Sequence, residues 1–165
     1  MQTRDLFIQC LGLGRSSHPL AAVMIVAALV GAGLSFSLGA RSLFTLAFAL
    51  FFIGIFEVNK AEERGVPHDD PSIVLDEAVG VWIAQVVALT GSLSLSLPYA
   101  PWIALFLSPV LFALFRLWRP STIGWIHRNL QGGLGVMLDD LLCGLAAGIL
   151  NLLILIAAGK AAASL

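Results

Sequence analysis

Long apolar runs separated by short polar intervals set the pattern of this chain. Leu20–Leu38 holds no charged residue, and Ser42–Phe56 is apolar but short, with Arg41 just before it. Ala78–Leu97 contains Gln85 and a series of hydroxyls, and Leu141–Ala158 is the last run. Trp102–Trp118 carries Pro109, where a kink is expected because proline cannot donate the helix hydrogen bond. A spanning helix needs about 20 mostly apolar residues, so four or five of these runs qualify. The stretch "SLSLSL" (Ser92–Leu97) alternates as a strand would. An isolated strand in lipid leaves its backbone groups unpaired, so it is read as helix. "LPYAPW" (Leu97–Trp102) reads as a tight turn with Tyr and Trp at a membrane interface, where such rings collect.

The expected architecture is therefore all-α: a polytopic membrane bundle of about 4–5 embedded helices, forming a single domain over residues 1–165. Composition agrees. The chain is 59% apolar and only 12% charged, where soluble domains carry about 25% charged residues. A net charge of −1 with no basic arm or basic–aromatic patch gives no reason to expect nucleic-acid binding. The first apolar run starts only after Arg4, Asp5, Arg15 and His18. No small-residue cleavage site follows a short apolar core, so that run is read as a retained span rather than a signal peptide. Cys10 and Cys143 form no paired motif, and neither a disulfide framework nor a zinc site is expected.

Charge then orients the bundle. With the N-terminus inside and five spans, the inside segments hold Arg4, Arg15, Lys60, Arg64, Arg116, Arg119 and Arg128, and the outside ones only Arg41 and Lys160. That asymmetry places the two long loops, Glu57–Glu77 and Arg119–Asp140, in the cytoplasm.

Both loops end in acids at a helix entrance. The first ends "HDDPSIVLDEAVG", with Asp69, Asp70, Asp76 and Glu77; the second ends "HRNLQGGLGVMLDD", with Asp139 and Asp140. A glycine follows four residues after one acid in each case, Gly80 after Asp76 and Gly144 after Asp140. Residues at i and i+4 share a helix face, and glycine there lets two helices approach closely. If the helices pack through these glycines, Asp76 and Asp140 enter one crevice. Carboxylates so close resist ionisation, and a divalent cation resolves the conflict; an all-oxygen set suits Mg²⁺. The plainer reading is that acids in a first helical turn cap free N–H groups and complement the dipole. Arg116, Arg119 and Arg128 serve either as interfacial anchors or as bidentate partners of a phosphate. Gly132 and Gly133, before the last helix, could turn backbone N–H groups toward an anion. His68 and His127 are candidate general acids.

Two other classes compete. A small transporter would carry charges inside its spans, yet only Gln85 and Asn151 are strongly polar there. A purely structural membrane protein would use its acids as caps alone.

The segments "HDDPSIVLDEAVGVWI" and "RNLQGGLGVMLDDLLCG", in that order and spacing, resemble the phosphatidylglycerophosphatase A family; Gly-Gly-x-Gly…Asp-Asp is the specific part. "FR…RPSTIGWIHRN" is a weaker match, shorter than the family's segment and without its acid after Phe-Arg. "PLAAVM" (Pro19–Met24) stands where the family commonly has Pro-Gly-Thr. The resemblance implies hydrolysis of phosphatidylglycerol phosphate, a phospholipid substrate, to phosphatidylglycerol and phosphate with Mg²⁺ in the bacterial inner membrane. Joined to the residue reading, it makes Asp76, Glu77, Asp139 and Asp140 the expected catalytic and metal residues, with Asp69 or Asp70 as a further ligand. Arg116, Arg128, Gly132 and Gly133 are the expected phosphate contacts. A phosphatase for another lipid phosphate is the alternative.

Overall fold

The computed structural model describes residues 7–10, 13–15, 18–68, 70–95 and 97–163. After a single 3-10 turn at Leu13–Arg15, six α-helices follow: α1 (Pro19–Leu38), α2 (Ala40–Glu63), α3 (Leu75–Ser92), α4 (Ala100–Trp118), α5 (Ser121–Asn129) and α6 (Gly132–Ala163). No strand occurs among the described residues. Four helices, α1, α2, α4 and α6, are long and apolar enough to cross a membrane.

The organising element is the remaining long one. α3 is apolar around nearly its whole circumference and buried on almost every face, as a helix without a polar side must be. It packs against α6, α4, α2 and α1. The surrounding helices turn large apolar side chains outward, among them Ile25, Leu29, Phe48, Phe56, Val110 and Leu153. A water-soluble protein seldom exposes so much contiguous apolar surface; lipid is the solvent this surface fits. Tyr99 and Trp102 are exposed at the turn into α4.

Three expectations about element bounds are corrected. α2 runs 24 residues, well past the short stretch Ser42–Phe56, because its polar last turns (Glu57, Asn59, Lys60, Glu62) stay helical beyond the apolar part. α3 stops at Ser92 and the chain turns through Leu93–Leu95, so "SLSLSL" is not helix there. α6 begins at Gly132 rather than Leu141. Asp139 and Asp140 thus lie two turns inside a continuous helix, beyond the reach of its first free N–H groups, and the capping reading fails for them. Asp76 and Glu77 do lie in the first turn of α3.

Two buried amides hold the middle of the bundle. Pro109 lies within α4, and the missing N–H frees the carbonyl four residues back, at Leu105. Gln85 Nε2 on α3 donates to that oxygen at 3.1 Å and to Ala28 O at 3.0 Å. Asn151 Nδ2 on α6 donates to Ala104 O at 2.9 Å and to Ser108 Oγ at 3.0 Å. The polar residues inside the apolar zone are therefore structural donors for α4.

Candidate functional site

The site lies where the start of α3, the end of α4, α5 and the first turns of α6 meet. α3 and α6 cross through glycine. A Cβ on Gly144 would lie 2.2 Å from the Gly80 carbonyl oxygen, and one on Gly80 would lie 2.7 Å from the Asp140 carbonyl oxygen. This contact brings one acidic pair to the other. Asp76, Glu77, Asp139 and Asp140 are all buried, each 3% exposed or less.

Arg116, on the last turn of α4, joins the two helices. Its guanidinium donates to Glu77 Oε1 at 2.6 Å and, through its other terminal nitrogen, to Asp140 Oδ1. The side chain is only 14% exposed, so it is a buried partner rather than an anchor reaching for headgroups. The second oxygens, Glu77 Oε2 and Asp140 Oδ2, are buried without a hydrogen-bond partner. A buried carboxylate oxygen left so costs free energy unless a proton or a cation meets it.

Asp139 faces elsewhere. Adjacent helical residues diverge by about 100°, which turns Asp139 toward α5 while Asp140 faces α3 and α4. Its Oδ2 lies 3.4 Å from Arg119 Nε and 3.1 Å from His127 Nδ1. Arg119 and His127 Nε2 also touch. His127 thus lies between Arg119 and Asp139 and holds the two in place. Arg119 itself sits in the left-handed region, φ 41°, at the break between α4 and α5.

The other candidates fall outside this cluster. Asp70 makes the turn into α3, its Oδ1 accepting from the Ser72 N–H at 2.8 Å. It joins none of the acidic groupings among the described residues; Asp69 lies outside the described residues. Arg128 is exposed on α5. The Gly133 N–H is donated to Asn59 Oδ1 at 2.6 Å, which corrects its expected use as an anion donor. A Cβ on Gly133 would lie 2.2 Å from Ile55 O, so this glycine permits α6 to pack on α2. Gly132 turns the chain at φ 75° over the same Asn59. His68 pairs with Glu62 at 2.7 Å in an exposed loop. Asn59 caps α6 from α2; its only sequence signal is a polar residue amid the charged last turns.

Two carboxylate sets could surround a cation: Asp76, Glu77 and Asp140, or Asp139, Asp140 and Cys143, each with ligand atoms within 4.8 Å of one another. Oxygen ligands about 2.0–2.1 Å from Mg²⁺ sit roughly 3–4 Å apart, so the first set needs only small adjustments. It is all oxygen and contains both orphaned atoms. The second includes a thiol, which suits softer ions. The residues present therefore fit a hard divalent cation at Asp76, Glu77 and Asp140.

Fold and site define a helical membrane protein with a buried carboxylate–arginine centre at one end of its bundle. The sequence matches the family described as phosphatidylglycerophosphatase A over residues 6–155, and the chain belongs to that family. It is 37% identical over 100 residues to phosphatidylglycerophosphatase A of Escherichia coli, covering 59% of this chain and 52% of that protein. It is 32% identical over 110 residues to the Haemophilus influenzae protein of the same name, covering 67% and 62%. These two matches thus span about half to three-fifths of the relatives' lengths. A Bacteroides thetaiotaomicron protein, provisionally named a phosphatidylinositol-3-phosphatase, is 33% identical over 147 residues, covering 84% of this chain and 86% of its own. No solved structure is a significant match.

Proposed function

We propose that this protein is a Mg²⁺-dependent lipid phosphatase that hydrolyses phosphatidylglycerol phosphate to phosphatidylglycerol and inorganic phosphate at the cytoplasmic face of the bacterial inner membrane. The observation that carries the reading is the convergence of Asp76, Glu77 and Asp140 around the Arg116 guanidinium. Membership of the phosphatidylglycerophosphatase A family and the names of the first two relatives supply the substrate.

Asp76, Glu77 and Asp140 would hold the ion, which supplies Lewis-acid polarisation of a phosphoryl oxygen and a more acidic water. Arg116 fixes one oxygen of Glu77 and one of Asp140, leaving the second of each for the ion. Arg119, held by Asp139 and His127, offers its guanidinium to the transferring phosphoryl group, whose charge such a fork matches. Asp139 is thereby a positioning residue. Hydrolysis breaks the phosphorus–oxygen ester bond; water supplies the new phosphate oxygen, and the leaving alkoxide takes a proton to become the alcohol of phosphatidylglycerol. The arginines of this end, Arg116, Arg119 and Arg128, together with Lys60 and Arg64, support its cytoplasmic placement.

The name of the Bacteroides relative favours a second reading, a phosphoinositide or other lipid phosphate as substrate. Phosphate release by the purified protein from phosphatidylglycerol phosphate and from phosphatidylinositol 3-phosphate, with and without Mg²⁺, separates the two. Release from the first alone, abolished by chelator and by Asp140→Asn, is the expected result. Release only from the second overturns the substrate, and metal-independent release overturns the cation site.

A further inference from the structure

An apolar groove of about 550 Å³ runs between α1 and α4, a volume within the roughly 300–1,000 Å³ usual for small-molecule sites. Leu20, Met24 and Ala28 form one wall and Phe106, Val110 and Ala113 the other; every lining residue is apolar. The two helices run antiparallel, with Phe36 near the end of α1 against Trp102 near the start of α4, ring centroids 4.6 Å apart. The Leu20 end of the groove is therefore the Ala113 end.

That end leads to the site. Pro109 and Ala113 of the lining and Arg116 follow the i, i+4, i+7 spacing of one helix face, so the groove's α4 wall leads to Arg116. Phe106 and Arg116 are ten residues apart, about 15 Å along the axis. A second groove of about 520 Å³, bounded by Phe48, Ile83, Gly91, Leu141, Leu145 and Leu152 among others, runs along α3 between α2 and α6.

We propose that the α1–α4 groove binds one acyl chain of the substrate lipid while its phosphate occupies the Arg116–Glu77–Asp140 centre. This rests on the reading of that centre as a lipid phosphatase site. A lipid phosphate is an anion attached to a long apolar chain, and here a wholly apolar channel ends one helical turn from a buried cation. Specificity then includes a measure of chain length, set on α1 and α4 rather than by the acidic helices.

The test uses Ala21→Phe and Val110→Trp, both at exposed groove positions and outside the reacting centre, with Leu145→Trp in the second groove as a control. Kinetics are measured on dipalmitoyl and dihexanoyl phosphatidylglycerol phosphate in mixed micelles. The groove variants should raise KM for the dipalmitoyl form about tenfold, the equivalent of roughly two buried methylene groups. Their kcat and their KM for the dihexanoyl form should stay unchanged, and the control should match wild type. Equal effects on both substrates, or none, overturn the proposal.

Binding is read separately by photo-crosslinking with a phosphatidic acid carrying a diazirine at its chain end. Label should map to α1 and α4 and be competed by lipid phosphates but not by phosphatidylcholine. Competition by phosphatidylcholine alike means bulk lipid fills the groove, and the proposal fails. Selective labelling by a protein without phosphatase activity overturns the catalytic reading and leaves the groove assigned.

Discussion

Gly144 crosses Gly80 with no room for a side chain: a Cβ on Gly144 would sit 2.2 Å from the Gly80 carbonyl oxygen. Backbone cannot yield as a flexible side chain can, so even one methyl must push α6 away from α3. Gly144→Ala is expected to lower thermal stability in detergent by several degrees and activity by at least about tenfold, since a misplacement near 1 Å can cost about 10²-fold. A thermal melt and an activity assay on the same preparation check this; unchanged values for both would mean the helices do not cross here.

Arg116 bridges Glu77 and Asp140, and removing it leaves two buried carboxylates without their cation. Arg116→Met should cost about 3–5 kcal/mol, the usual penalty for breaking a buried pair from one side. Arg116→Lys keeps the charge but loses the fork that reaches two carboxylates, and should recover part of the stability and little activity. Chemical denaturation of the three proteins ranks them; Lys equal to wild type in activity would show that charge alone suffices.

The acid excess at the centre predicts stabilisation by metal. Mg²⁺ at 100 times its dissociation constant should add about 2.7 kcal/mol to stability, read as a rise in melting temperature. The rise should be absent in Asp140→Asn and in the presence of chelator. An equal rise in that variant would place the ion elsewhere.

Gln85 supplies the donor that Pro109 removes from Leu105. Gln85→Leu should therefore destabilise by about 1–3 kcal/mol, the cost of a buried unsatisfied carbonyl, while activity below the melting transition is largely kept. If instead kcat falls with stability unchanged, the residue belongs to the reaction and not to the scaffold.

Cys10, beside the entrance of α3 and 3.7 Å from Val74 O through its Sγ, has its thiol pushed up to about 12, first by burial and then by Glu77 and Asp76. The raised value keeps it protonated at neutral pH, and only the thiolate is nucleophilic. Alkylation of folded protein should be slow at pH 8 and accelerate as pH rises toward 12. Mass spectrometry of iodoacetamide-treated protein, native against denatured, measures it; rapid native labelling at pH 8 would contradict this environment.

Several of these relationships are legible in sequence, and others are not, for physical reasons. The meeting of Asp76 with Asp140 follows from two acids each with a glycine one turn on, because that spacing fixes a shared helix face. The pairing of Asp139 with Arg119 and His127 does not follow, since it depends on where α5 places those two residues. The start of α6 was hidden because Gly132-Gly133-x-Gly135 reads as a turn; close packing on Ile55 and the Asn59 cap make it helical. The last turns of α2 are not legible from apolarity, which ends at Phe56, whereas the helix persists into its polar segment to Glu63. Gln85 and Asn151 stood out as polar residues among apolar ones, but their partners required knowing which carbonyls α4 leaves open.

Arg116 follows Glu77 by 39 residues and precedes Asp140 by 24. During synthesis α3 is therefore made before its cation exists, and the second carboxylate of the bridge arrives only with α6. A nascent chain shorter than 140 residues lacks one member of the bridge, so α3 and α6 can be tied through Arg116 only once the first turns of α6 have been made.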